Sequence, residues 1–165
     1  MILNSINLIL LSRMLRINKL TDYGVVIMAK IASEQITKTH TARMLAKSTN
    51  VPLPTVTALL KKMSNAGFLD SWQGAMGGYS LSKTPDKISI YGLIEVLEGP
   101  VAMTECSTEG TCDCKLLTSC ETQKPWQKIN DAVKIALSEV TLEDMNANKI
   151  KNPLIEIENL MEVSL

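Results

Sequence analysis

Val51-Pro52-Leu53-Pro54-Thr55-Val56-Thr57-Ala58-Leu59-Leu60-Lys61-Lys62-Met63 carries the clearest periodicity in this 165-residue chain. Val56, Leu59, Leu60 and Met63 recur at helical spacing and make one buried stripe. Pro54 falls in the first turn, where proline costs least, and Gly67 is a stop signal, so the spacing predicts a helix over 54–66. Thr55, Thr57, Ala58, Lys61 and Lys62 are left on its outer face. A buried stripe that fixes the pose, with an outer row of donors, is what entry into a DNA major groove requires. Thr55 and Thr57 suit bases or phosphates near the helix start, where the dipole favours anions. Lys61 and Lys62 suit phosphates, which position without specifying.

Upstream, Thr21-Asp22 is the predicted N-cap of a helix running to about Ser33. Thr41 caps a short predicted helix over 42–47, and Ser48-Thr49-Asn50 reads as a turn. Residues 21–66 therefore have a helix-turn-helix layout. Downstream, Phe68–Trp72 and Tyr79–Ser82 read as strands around Gln73-Gly74-Ala75-Met76-Gly77-Gly78, a glycine-rich hairpin. Ser89 opens a helix to about Leu97, ended by Gly99-Pro100. After Pro125, the residues Trp126, Ile129, Val133, Leu137 and Val140 recur at three- and four-residue spacing, a narrow seam suited to a facing helix. The expected fold is mainly α with a small β-hairpin wing: a winged helix-turn-helix plus a long C-terminal dimerisation helix. For that last helix, packing back on its own core is the alternative to a dimer contact.

The chain divides accordingly. Residues 14–99 read as a winged-helix DNA-binding domain, 100–124 as a cysteine-rich loop, 125–141 as the dimerisation helix and 142–165 as an unassigned tail. Residues 1–13 lack a basic n-region and a small-residue cleavage site, so they make a poor signal peptide. They are expected to be an upstream-start extension ahead of Met14. No apolar run reaches the roughly 20 residues of a membrane-spanning helix. No membrane partner is expected, and the expected compartment is the cytoplasm, where thiols stay reduced.

Net charge is zero, with 17 basic and 17 acidic residues. The charges are segregated: Arg13 to Lys87 holds 11 Lys and Arg against four acids, while Ile88 to Leu165 holds six against 13. A basic half favours a polyanion on one side; two solvated faces that segregated by chance are the alternative. Helix-turn-helix layouts also bind proteins, and the charge split favours nucleic acid. No Ser/His/Asp set, phosphate loop or carboxylate pair points to an enzyme, and no small-molecule substrate is implied.

All four cysteines fall within fifteen residues, Cys106, Cys112, Cys114 and Cys120, spaced C-x5-C-x-C-x5-C. A disulfide framework belongs in small secreted chains. Zinc sites prefer paired knuckles two to four residues apart, which this spacing lacks. Four thiolates on a loop can also hold an iron–sulfur cluster. Chemistry alone points to a metal and leaves cluster and zinc both open. The single histidine, His40, is expected to be an exposed turn or capping residue.

Taken together, these residues resemble the iron–sulfur winged-helix regulators typified by IscR, NsrR and RirA. The resemblance runs from Met14-Leu15-Arg16-Ile17-Asn18-Lys19-Leu20-Thr21-Asp22-Tyr23 through Thr41-Ala42, Val51-Pro52-Leu53-Pro54, Ala66-Gly67-Phe68-Leu69, Gly77-Gly78-Tyr79 and Glu98-Gly99 to the cysteines and Trp126. The chain is most similar to the branch that regulates SUF cluster assembly. The resemblance implies a homodimer on a palindromic operator, with wing contacts at Gln73, Gly77, Gly78 and Tyr79. It implies a cluster held by Cys106, Cys112 and Cys120, with [2Fe–2S] ahead of [4Fe–4S]. Gln123 stands where IscR has a histidine ligand, so the fourth ligand falls to Cys114 or to Asp22 of the partner subunit. Gln73-Gly74 replaces the family's Arg-Gly in the wing, which loses a charge suited to the minor groove. The implied function is a repressor of iron–sulfur assembly genes that senses cluster status. The alternatives are structural zinc, a redox-thiol switch, or a cluster carrier that binds no DNA.

Overall fold

The computed structural model describes residues 17–34, 38–74, 77–107, 114 and 119–146. Residues 1–16, Ala75-Met76, Cys112 and everything after Asn146 lie outside them, so the expectations for the N-terminal extension and for most of the tail stay as sequence readings. The described elements are α1 (Lys19–Ala32), α2 (Ala42–Thr49), α3 (Leu53–Asn65), β1 (Leu69–Trp72), β2 (Gly78–Leu81), α4 (Ile90–Glu98) and α5 (Gln123–Glu139). Short 3-10 turns fall at Pro85–Lys87 and Glu105–Ser107. This is the mainly α winged helix expected.

The start of α1 corrects the sequence reading. Asn18, in an extended conformation, accepts the Leu20 N–H at 3.0 Å and caps the helix. Thr21 is instead buried in the first turn, with its hydroxyl unpartnered. Both residues carry a cap-competent oxygen, and the burial of Thr21 decides between them. Thr41 does cap α2, accepting the Met44 N–H at 3.2 Å. That helix runs past Lys47 to Thr49 because the Ser48 and Thr49 hydroxyls donate to the Leu45 carbonyl and stay within the helical turn. Asn50 then turns the chain with a left-handed φ of 57°.

Helix α3 buries Val56, Leu59, Leu60 and Met63, the stripe read from the sequence. Gly67, at φ 76°, lets the chain leave it, a conformation a Cβ would strain. The two strands pair antiparallel in the register Leu69↔Leu81 to Trp72↔Gly78. His40 joins them: its N–H donates to the Tyr79 carbonyl at 2.8 Å, and Tyr79 N–H donates back at 2.9 Å. This bridge leaves His40 only 2% exposed, which overturns its expected place in an exposed turn. The approach is close enough to require Gly78, where a Cβ would lie 2.6 Å from Thr39 Cγ2 and 2.7 Å from the His40 carbonyl.

Ser89 caps α4, accepting the Gly92 N–H at 3.2 Å. Its neighbours also pair with the segment after α5: Ile90 N–H donates to Val140 O, and Leu142 N–H donates to Ile88 O, both at 2.8 Å. Leu142, the first residue of the unassigned tail, is fully buried in the core formed by Ile27, Met28, Leu45, Leu60, Met63, Ile88 and Leu93. The chain beyond α5 thus closes back onto the winged helix.

Candidate nucleic-acid interface and cysteine segment

With its stripe buried, α3 turns Thr57, Ala58, Lys61 and Lys62 outward, while Thr55 is half-buried. Pro52 occupies the N-cap without a capping side chain, so the positive end of the helix dipole is open to an anion. The outer residues differ in what they touch. The Thr57 hydroxyl donates to the Leu53 carbonyl at 2.9 Å, within its own helix. Lys62 Nζ donates to the Leu97 carbonyl at 3.0 Å and so leans across to the end of α4. Lys61 extends from the exposed face. Thr55 lines a shallow groove with Leu20, Pro54, Ala58, Leu59, Lys62 and Leu97.

On the wing, Gln73 is exposed, and Gly77 is half-buried, its N–H donating to the Gly74 carbonyl at 2.9 Å. Gly78 is buried against Thr39 and His40, and Tyr79, half-buried, makes the bridge to His40. The Ser71 and Ser64 hydroxyls meet at 3.2 Å and tie β1 to the last turn of α3.

The cysteine segment is anchored at both ends. At its start, Met103 N–H donates to Asn130 Oδ1 of α5 at 3.0 Å. The turn that follows holds the Thr104 hydroxyl 3.2 Å from Cys106 Sγ and 2.8 Å from Ser107 Oγ. At its end, Cys120 Sγ lies 3.3 Å from the Thr122 hydroxyl, just ahead of α5. Hydrogen bonds from the Thr122 side chain and backbone lower the Cys120 thiol below its ordinary pKa, as does the Gln123 backbone more weakly; desolvation opposes them. Cys106, Cys114 and Cys120 are free and half-buried. Among the described residues no three His, Cys, Asp or Glu side chains converge on one point. Asp22 is exposed on α1, in a groove with Ile17, Asn18, Lys19, Val25, Ile90 and Met145. The donor chemistry fits a soft metal centre: thiols, one of them acidified, close together in the sequence.

Helix α5 shows an apolar stripe, with Trp126 and Ile129 exposed and Val133 and Leu137 half-buried. Val140, expected to continue the seam, is exposed but lies past the helix end in an extended conformation, its carbonyl accepting the Ile90 N–H. Leu137 packs against the core of its own chain. Asn130 is the fully buried residue of this helix. Neither it nor the bridging role of His40 stood out in the sequence, since a lone polar residue in an amphipathic pattern looks solvated.

The Rrf2 family model, described as an iron-dependent transcriptional regulator, matches residues 17–148. The chain belongs to the Rrf2 family. It is 32% identical to the transcriptional regulator CymR of Bacillus subtilis over 123 residues, 74% of this chain and 83% of that one. It is 27% identical to the regulator IscR of Vibrio vulnificus over 121 residues, 73% of this chain and 69% of that one. The structure of CymR, the global cysteine regulator of B. subtilis, superposes with a TM-score of 0.64, covering 82% of this chain and 98% of the other. This Rrf2 protein is therefore a transcriptional regulator that binds DNA, and not an enzyme. No helix among its described residues is long and apolar enough to cross a membrane.

Proposed function

We propose that this Rrf2 protein is a cytoplasmic, homodimeric repressor of iron–sulfur assembly genes, of the SUF-regulating kind, controlled by a cluster on its cysteine segment. The observation that carries this is the double anchoring of that segment on α5, through Met103 to Asn130 at one end and Cys120 beside Thr122 at the other. Gathering Cys106, Cys112 and Cys120 around a cluster pulls on both anchors and so on the helix that carries the apolar stripe. Trp126, Ile129 and Val133 join two copies, which sets the spacing of two α3 helices on a palindromic operator. Thr55 and Thr57 face bases, Lys61 and Lys62 face phosphates, and Gln73, Gly77, Gly78 and Tyr79 form the wing contact. Cys114 or the partner's Asp22 completes the cluster; the exposed position of Asp22 suits donation to a second copy.

Anaerobic purification tests this. The expected product is a brown dimer with charge-transfer absorbance, iron and sulfide in equal amounts, and operator binding that changes when the cluster is removed. Replacing Cys106, Cys112 or Cys120 should abolish the colour, and replacing Cys114 and Asp22 in turn identifies the fourth ligand. A colourless protein with stoichiometric zinc overturns the cluster.

A thiol switch is the second reading, favoured by the Thr122 hydroxyl 3.3 Å from Cys120 Sγ, which lowers the pKa of that thiol. It predicts metal-free protein whose DNA binding responds to oxidant and is restored by reductant.

A further inference from the structure

Trp72 ends β1 at the hairpin tip, beside Gln73, and is 52% exposed. Its partner across the strands is Gly78, which has no side chain to cover the indole. Along β1 the faces alternate: Leu69 is buried and Ser71 meets Ser64 of α3, which leaves Asp70 and Trp72 on the opposite side. The Ser64–Ser71 contact makes the tip part of one body with α3. From Ser71 to Pro85 the chain carries no acidic residue, and Lys83 is its single charge. Indoles are enriched at contact surfaces, being apolar with one polar N–H, and a stretch of chain without an acid suits a polyanion.

We propose that Trp72 and Gln73 are the wing's contact with duplex DNA, the indole lying against sugar edges of the minor groove and the Gln73 amide meeting base-edge acceptors there. This rests on the DNA-binding reading above and adds a residue to it. Minor-groove proteins commonly pair amide side chains with an apolar wedge. Here buried apolar area takes the place of the positive charge that a wing arginine would bring. Asp70, two residues back on the same face, limits the contact to the tip.

The test starts from a pool of short randomised duplexes from which the wild-type dimer selects its sites. Trp72→Ala should bind a selected duplex about tenfold more weakly, the worth of burying roughly 55 Å² of apolar indole surface, and Trp72→Phe should recover part of the loss. The slope of log affinity against log salt should be unchanged in both, because no phosphate contact is lost. With 5-fluorotryptophan incorporated, the fluorine resonance missing from Trp72→Phe should shift when the duplex is added. Circular dichroism and melting of each variant identify any loss through misfolding, and the resonance in wild type decides the matter without a variant. Unchanged affinity of Trp72→Ala, or a Trp72 resonance indifferent to saturating duplex, overturns the proposal. A change in oligomeric state on replacing Trp72 assigns it to a protein interface and also overturns the proposal. Wild type that selects no duplex at all removes the DNA-binding reading itself.

Discussion

Asn130 Oδ1, in the middle of α5, accepts the backbone N–H of Met103 at 3.0 Å, across 27 residues of sequence. Asn130 is fully buried, and its Nδ2 has no partner. One hydrogen bond therefore connects the helix with the apolar stripe to the chain entering Cys106. Asn130→Ala should cost about 1–3 kcal/mol, because a buried N–H loses its acceptor. Urea denaturation measures the cost. Cys106 should also alkylate faster in this variant while Cys120 is unchanged; equal acceleration of both would mean global loosening instead.

His40 gives the fold a pH dependence with a definite sign. Burial pushes its pKa below the ordinary value of 6.5, with Lys38 and Lys30 pushing the same way and Glu34 opposing. Between that value and the lower folded one, the unfolded chain binds more protons than the folded chain. Stability is then full above about pH 6.5, and is lost as pH falls through that window toward the folded pKa. Urea midpoints from pH 7 to pH 5.5 should decline in wild type and flatten in His40→Phe. Equal slopes in the two proteins would place the titration elsewhere.

Leu142 tests whether the segment after α5 belongs to the core. It is fully buried and pairs with Ile88 through its N–H. Leu142→Ala should cost about 2–5 kcal/mol, as for a core leucine. A change within about 0.5 kcal/mol, the usual range for surface positions, would detach this segment from the winged helix.

The Thr122 hydroxyl beside Cys120 Sγ is the first cause of that thiol's lowered pKa. Thr122→Val should move the pH profile of Cys120 alkylation toward higher pH, with slower reaction at neutrality. Mass spectrometry of the modified peptide reads this site alone. A profile unchanged by the substitution would assign the acidity to the start of α5.

Lys61 extends from the exposed face of α3, whereas Lys62 donates to the Leu97 carbonyl. Lys61→Ala should weaken binding to all duplexes alike and reduce the salt slope by roughly 0.9, the value of one phosphate contact. Lys62→Ala should change the slope less and lower stability slightly. Equal slope changes would put both lysines on phosphate.

The elements were legible where a local pattern and the tertiary environment agree. Val56, Leu59, Leu60 and Met63 have a spacing that only a helix can bury together, and they are buried. The glycine cluster around Gln73 admits little but a hairpin. Thr41 and Ser89 each stand before an apolar run with a competent oxygen, and both cap. The cysteine cluster was visible in the sequence because its chemistry depends on residue type and density rather than on fold.

Tertiary structure alone decided the rest. Asn18 and Thr21 are both able to cap α1, and packing buries Thr21. A lone histidine in a polar stretch looks exposed until β2 pairs with its backbone. Lys61 and Lys62 are equivalent as adjacent residues, and the end of α4 separates them. Asn130 looks like a solvated position on α5 until the chain before Cys106 covers it. In each case the deciding partner lies on another element, and periodicity, which sees only neighbours along one helix or strand, carries no information about that partner.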